Sequence, residues 1–375
     1  MSYYENELRA LKKSNRLRSR EVIDESIKDF ASNDYLGLAH IKELHSEVCQ
    51  ELDLLGIHAS KASMLVNGYH QIHQDFERAM SEANGFEECI VMGSGFNANL
   101  ALIESLCRKG DMLFMDELYH ASGVMATHFE SVNVVFFKHN NMQELKNLLE
   151  HHKGIKRKII AVEGIYSMDG DMCDGEIFSI ADTHDALLIV DEAHSSGVVG
   201  VHLMGVFDHY DVAIKPNYIK MGTLGKAYGS FGAFILASHH IVEYLLNRAK
   251  PIVYATSLSL YDTLLAHKSL NYILENTQEI SREIKLRKMV ISQELGSEVA
   301  GLIVPIEIGD NKKVLEIKDR LYEEGFAIGG IRQPTVPSAI LRVIARLGES
   351  ESQLRKLCKK IAQIKSNKLK FKKKM

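Results

Sequence analysis

The amino-acid sequence predicts an α/β protein: a large domain built on a mainly parallel sheet, followed by a smaller α+β domain. Three observations carry that expectation. Short, β-branched apolar runs alternate with helix-length amphipathic segments through the middle of the chain. Those runs lack polar alternation, as expected of strands covered on both faces. Beyond about residue 250 the pattern gives way to a long polar-faced helical stretch and shorter strands.

Taken in order, residues 88–92 read as a strand and 97–107 as a helix. Residues 112–115 and 132–137 are strand-like, and 142–151 is helical. Next come a strand at 158–162, a helix at 177–184 and a strand at 187–190, with further strands at 218–221 and 233–236. A helical stretch over 260–293, a strand at 301–308 and a final helix after Glu351 complete the small domain. The expected organisation is an N-terminal segment, 1–44, packing with the small domain, a large domain at 45–250 and the small domain at 251–375.

With 375 residues, 46% apolar and 25% charged, the chain has ordinary globular composition and enough length for one large and one smaller domain. A net charge of −4 argues against general nucleic-acid binding, which needs a basic face. The one charge run, at 365–375 with Lys370, Lys372, Lys373 and Lys374, reads as a solvated terminus. Cys49, Cys89, Cys107, Cys173 and Cys358 are scattered, with no CxxC pair or Cys/His ligand spacing. Reduced thiols and no metal site are therefore expected. The opening MSYYENELRALKKSN has no apolar stretch, and no later run reaches bilayer length. These features predict a cytoplasmic protein without membrane contact.

The motifs that carry chemistry fall at predicted strand ends. LLIVDEAH brings Asp191 to the carboxyl edge of a parallel sheet, where ligands of open α/β folds bind, with His194 three residues on. An aspartate there can hold a protonated pyridine nitrogen, and His194 can donate to a phenolic oxygen; a helix cap or a metal-binding acid is the alternative use. MGTLGKAYG sets Lys226 in a glycine-rich turn after a strand. Together with Asp191, it reads as the Schiff-base lysine of a pyridoxal phosphate (PLP) enzyme. The competing phosphate-loop reading fails on the motif, because GTLGKA does not match GxxxxGK[ST]. MGSGFNAN opens a helix after a strand, so the amides of Gly95 and Phe96 should face a single phosphate. DELYHAS supplies His120 for stacking on a ring, and EGIYSMDGD supplies Glu163 and Ser167 at another strand end.

In series with SNDYLGL, NGYHQIHQDFE, YATS and TVPSAILR, these segments resemble the α-oxoamine synthases over nearly the whole chain. Those PLP enzymes condense an amino acid with an acyl thioester and release CO2. The resemblance implies PLP-dependent transferase fold type I. It assigns Lys226 to the Schiff base, Asp191 to the ring nitrogen, His194 to the phenolic oxygen, His120 to ring stacking and Ser167 to the polar rim of the cofactor. It gives the phosphate to Gly95, Phe96 and Thr223, with Thr256 or Ser257 reaching in from a second subunit of a homodimer. Arg342 matches the residue that grips the amino-acid carboxylate, and Asn33 a pocket-lining residue. L-alanine and a pimeloyl thioester of coenzyme A or acyl carrier protein are the expected substrates. The alternatives are another member of the family, such as a glycine C-acetyltransferase, a 5-aminolevulinate synthase or a soluble serine palmitoyltransferase, or the chemistry of a fold-type-I aminotransferase. The chain departs from the family pattern at HASKAS, 58–63, where a GSGGS stretch is usual, and at Ile340, where an arginine is expected.

Overall fold

The computed structural model describes residues 2–129 and 132–372, so Lys373 and Lys374 of the basic tail lie outside the described residues. The chain divides into two compact units. One comprises Leu36–Ser167 and Asp171–Arg282; the other comprises Met1–Tyr35, Met168–Gly170 and Glu283–Met375. The first strand, β1 (Lys28–Phe30), belongs to the smaller unit.

The larger unit carries β2 (Glu88–Met92), β3 (Met112–Asp116), β4 (Val134–Phe137), β5 (Lys158–Glu163), β6 (Ala186–Asp191), β7 (Tyr218–Thr223) and β8 (Ala233–Ala237). They form one sheet in the order β2-β8-β7-β6-β5-β3-β4. From β7 to β4 every pairing is parallel, and β8 runs antiparallel to both neighbours. The reversal has a simple cause: only the nine-residue loop 224–232 joins β7 to β8, too short for the crossover a parallel neighbour requires. Strands β5 to β8 are buried nearly end to end. The helix Gly95–Leu106 packs on β7 and β8 through Ala98, Ala101 and Leu102. It begins two residues before the expected start because Ser94 caps it, accepting from the Asn97 amide at 3.3 Å.

The expected helical stretch at 260–293 is two helices, Leu260–Glu275 and Thr277–Leu295. At the break, Asn276 Nδ2 and Thr277 Oγ1 donate back to the carbonyls of Tyr272 and Ile273, both at 2.8 Å. Such side-chain bonds compete with helix continuation. The first of these helices packs with Lys42–Leu55 and Gln71–Asn84 around Val48, Leu52, Ile72 and Leu264. That packing draws residues 251–282 into the larger unit, whereas the sequence pattern changes near 250.

In the smaller unit β1 joins β9 (Ile303–Glu307), β10 (Phe326–Ile331) and β11 (Ile340–Ile344) in the order β1-β10-β11-β9. β1 lies parallel to β10, and β11 is antiparallel to both β10 and β9. Among the described residues no helix is long and apolar enough to cross a membrane, and no cluster of three or more His, Cys, Asp or Glu side chains could hold a metal ion.

Candidate active site

Six strands of the larger sheet, β2 to β7, end on one edge, and the loops that leave β2, β3, β5, β6 and β7 carry most of the predicted residues. β6 ends at Asp191. Its carboxylate is buried and held from two sides: Oδ2 accepts from Asn99 Nδ2 at 2.8 Å and Oδ1 from the Ala193 amide at 3.0 Å. Asn99 is fixed in turn, accepting from Tyr119 Oη at 2.7 Å and donating to Ser122 Oγ at 2.9 Å. An acid presented so rigidly suits the task of holding one proton on a bound ring nitrogen.

The adjacent strand β7 ends at Thr223 and enters the glycine-rich loop. Leu224 donates to Gly232 O and accepts from the Ser230 amide, while the Gly229 amide donates to Lys226 O at 3.0 Å. Gly229 adopts φ 58, and a Cβ there would lie 2.5 Å from the Ala39 nitrogen, so only glycine fits this turn. The loop delivers Lys226 Nζ to 3.0 Å from His194 Nε2, so the lysine of MGTLGKAYG meets the histidine of LLIVDEAH.

His120 stands at the head of the short helix Ala121–Ala126, with Nδ1 2.7 Å from Ser122 Oγ. The residue is exposed, yet its ring is crowded: desolvation pulls the imidazole below its usual range, with Asp191 opposing the shift and Lys226 reinforcing it. Glu163, at the end of β5, is in register with Asp191 and 1% exposed. Burial, and then the Asp191 charge, push its carboxyl well above the ordinary range. Its Oε2 accepts from the Ser167 amide at 3.0 Å, which anchors the turn carrying that residue.

Beyond the ends of β2 and β7, the N-terminus of the helix Gly95–Leu106 comes close to Thr223. A Cβ on Gly95 would meet Thr223 Cγ2 at 2.5 Å, so glycine lets the helix N-terminus approach the end of β7. Thr223 Oγ1 is buried without a hydrogen-bond partner among the described residues. An orphaned hydroxyl beside helix-terminal amides fits a phosphate. With Asp191, His194 and Lys226 on the neighbouring strand ends, the residues present fit PLP. Phe96 is 45% exposed. Ser257 is buried, its amide donating to Ala62 O at 3.0 Å, and Thr256 beside it is exposed. Asn33 and Arg342 belong to the smaller unit, where Arg342 Nη1 donates to Asn33 Oδ1 at 2.9 Å.

The turn that follows Ser167 is secured by a residue absent from the sequence expectations. His139 Nε2 lies 2.8 Å from Asp171 Oδ2 and Nδ1 lies 3.2 Å from Asp116 Oδ1, with the ring edge-on to Tyr166. Burial works to lower the imidazole, but the hydrogen bonds and charges of Asp116 and Asp171 lift it to about 10. Its folded value therefore exceeds the unfolded one of about 6.5. The stabilisation is fully present below about pH 6.5 and is lost as pH rises through about 10. His139→Gln should cost about 1–2 kcal/mol near pH 6, after allowing for solvent screening of a partly exposed ring, and almost nothing above pH 10. Thermal denaturation of both proteins across that range checks it; a penalty independent of pH would refute the charged clamp.

Sequence reasoning missed the Asn99, Tyr119 and Ser122 supports. Asn99 follows Gly95 by four positions, one helical turn, and that spacing was the available signal.

The family model for aminotransferase class I and II matches residues 25–361. The chain is similar to a curated 8-amino-7-oxononanoate synthase of Helicobacter pylori, with 41% identity over 355 residues, 94% of this chain and 95% of the relative. Among solved structures, a serine palmitoyltransferase of Sphingomonas wittichii superposes with a TM-score of 0.86 at 25% identity, covering 95% of this chain and 94% of that one. An 8-amino-7-oxononanoate synthase from Francisella tularensis superposes with a TM-score of 0.76 at 25% identity, covering 92% and 100%.

Proposed function

The chain belongs to the aminotransferase class I and II family, and from that premise we propose that it is an 8-amino-7-oxononanoate synthase, a PLP-dependent acyltransferase of biotin biosynthesis. The reaction joins the Cα of L-alanine to the carbonyl carbon of a pimeloyl thioester. Loss of the alanine carboxyl as CO2 leaves an electron pair on Cα that takes up a proton, and the carrier thiol, of coenzyme A or acyl carrier protein, departs with the proton first removed from Cα. The observation that carries the reading is the 3.0 Å approach of Lys226 Nζ to His194 Nε2 on the strand edge that Asp191 terminates.

PLP, when bound, supplies an electron sink for negative charge at the amino-acid Cα. Every other part of the work falls to the chain. Lys226 Nζ is the amine that holds the cofactor covalently, and it then takes the proton from Cα as general base. Asp191, kept in place by Asn99 and the Ala193 amide, holds a proton on the ring nitrogen. His194 would donate to the phenolic oxygen, and His120 would stack on the ring face and could donate to the thioester carbonyl oxygen. The phosphate would be received by the Gly95 and Phe96 amides, Thr223 Oγ1 and, from a second copy in a homodimer, Thr256 or Ser257. Ser167 lines the polar rim. Arg342, oriented by Asn33, takes the alanine carboxylate, a role suited to a planar fork of donors. The reading includes a cytoplasmic enzyme.

Purified protein loaded with PLP, offered L-alanine, glycine or L-serine together with pimeloyl-CoA, tests it by mass spectrometry of the products. The expected result is 8-amino-7-oxononanoate, formed only when alanine and the thioester are both present, with one CO2 per product. Condensation with glycine in place of alanine would move the substrate within the family. Pyruvate from alanine alone would replace the proposal with aminotransferase chemistry.

A further inference from the structure

Four residues beyond Arg342, just past the end of β11, a second arginine is almost wholly enclosed. Arg346 is 2% exposed, a burial that a guanidinium tolerates only when paired. Its three nitrogens are spent on one short segment. Nη1 donates to Asp29 Oδ2 at 2.5 Å, Nε donates to Asp34 O at 3.0 Å, and Nη2 pairs with Asp34 Oδ2. Asp29 folds that segment further, its Oδ1 accepting from the Ala31 and Ser32 amides at 2.9 and 3.0 Å and its Oδ2 from Ser32 Oγ at 2.5 Å. The Leu347 amide donates to Tyr35 O at 2.8 Å, a second tie next to the arginine. Residues 29–35 are thus fastened at both ends by Arg346 and its neighbour, and between the two fastenings stands Asn33, which accepts from Arg342 Nη1 at 2.9 Å.

We propose that Arg346 is a positioning residue for amino-acid selection: by holding residues 29–35, it keeps Asn33 where it fixes the plane of the Arg342 guanidinium for the substrate carboxylate. The inference rests on the reading of Arg342 as the carboxylate grip. The physical chain is short. Without the Arg346 charge, Asp29 and Asp34 face one another with their shared cation removed, and the segment between them opens. Asn33 then releases Arg342, and a fork–fork contact tolerates only about 0.5 Å and 10–20° of misplacement. A lysine at 346 would restore the charge as a single point but not the three-pronged geometry.

The test is steady-state kinetics of the PLP-loaded enzyme with both substrates varied, alongside thermal denaturation, for Arg346→Met, Arg346→Lys, Asn33→Ala, Arg342→Lys and the Arg346→Met/Asn33→Ala pair. Arg346→Met should raise the KM for alanine about tenfold or more while leaving the KM for the pimeloyl thioester within about twofold. Arg346→Lys should recover part of that loss. The double variant should be no worse than the poorer single one, because both changes break the same link. Should Arg346→Met fail to fold, Arg346→Lys and Asp34→Asn give the same selective rise in smaller measure. If Arg342→Lys raises the alanine KM and the Arg346 variants do not, the inference is overturned and the carboxylate reading stands. If Arg342→Lys itself leaves that KM unchanged, the carboxylate reading fails first. A parallel rise in both KM values, or a lower Tm with unchanged kinetics, would reduce Arg346 to a structural ion pair.

Discussion

Lys226→Ala should abolish turnover, lowering kcat by at least about 10^4-fold, since one change removes both the covalent anchor of the cofactor and the base that moves the Cα proton. The same variant should lose the cofactor adduct that borohydride fixes in the parent enzyme. Its fold should survive. Lys226 is only partly buried, and its loop is shaped by backbone bonds from Leu224, Gly229 and Ser230, none of which needs the side chain. A Tm within a few degrees of the parent is expected. The control lies on the strand that leads into this loop: Lys220 of β7 is fully buried, donating to Asn84 Oδ1 at 2.8 Å and to Met204 O, with Glu192 3.6 Å away. Peptide mapping after borohydride should therefore find the cofactor on Lys226 and not on Lys220. Retained turnover in Lys226→Ala, or an adduct on Lys220, would overturn the assignment.

Much of this was legible in the sequence because strand ends announce themselves. Three buried strands, β5, β6 and β7, stop at or beside a residue with chemistry, and LLIVD, MGT and VEG are apolar runs that end abruptly in an acid, a hydroxyl or a glycine. Register then follows from the pattern, as in the pairing of Glu163 with Asp191. What stayed hidden is the layer that holds those residues still. Asn99 looks like any polar residue near a helix start, and its importance depends on a tyrosine and a serine from outside that helix. Arg346 in ARLGES has the local profile of a surface arginine; its partners lie more than 300 residues earlier, and no periodicity connects them. His139 sits in a loop between two carboxylates drawn from two other segments. Such residues are defined by their contacts, and contacts of long sequence separation leave no periodic trace. The strands β1 and β10 of the smaller unit were missed for a related reason. β1 has three residues, and β10 contains two adjacent glycines, so neither presents a β-branched run.

Glu192→Ala should be among the most destabilising single substitutions in the larger unit, at about 3–5 kcal/mol, because it strands a buried cation. Glu192 and Lys220 are both 0% exposed. Burial pulls the Lys220 ammonium below its ordinary range, and Glu192 is the first of the groups that pull it back. Glu192 is also a hub, its Oε2 accepting from the Val206 amide at 2.8 Å and from Ser195 Oγ at 2.5 Å. It follows Asp191 directly and precedes His194 by two positions, so the network that neutralises Lys220 also shapes the loop bearing both candidate catalytic groups. Urea denaturation should register the loss as a lower midpoint. The discriminating comparison is Glu192→Ala/Lys220→Met, in which the cation is gone as well. If the cost of the single change is mainly an uncompensated charge, the double variant should regain at least about 1 kcal/mol over Glu192→Ala despite carrying one more substitution. If the two losses simply add, the buried charge is not the cause, and the Val206 and Ser195 hydrogen bonds account for the effect instead.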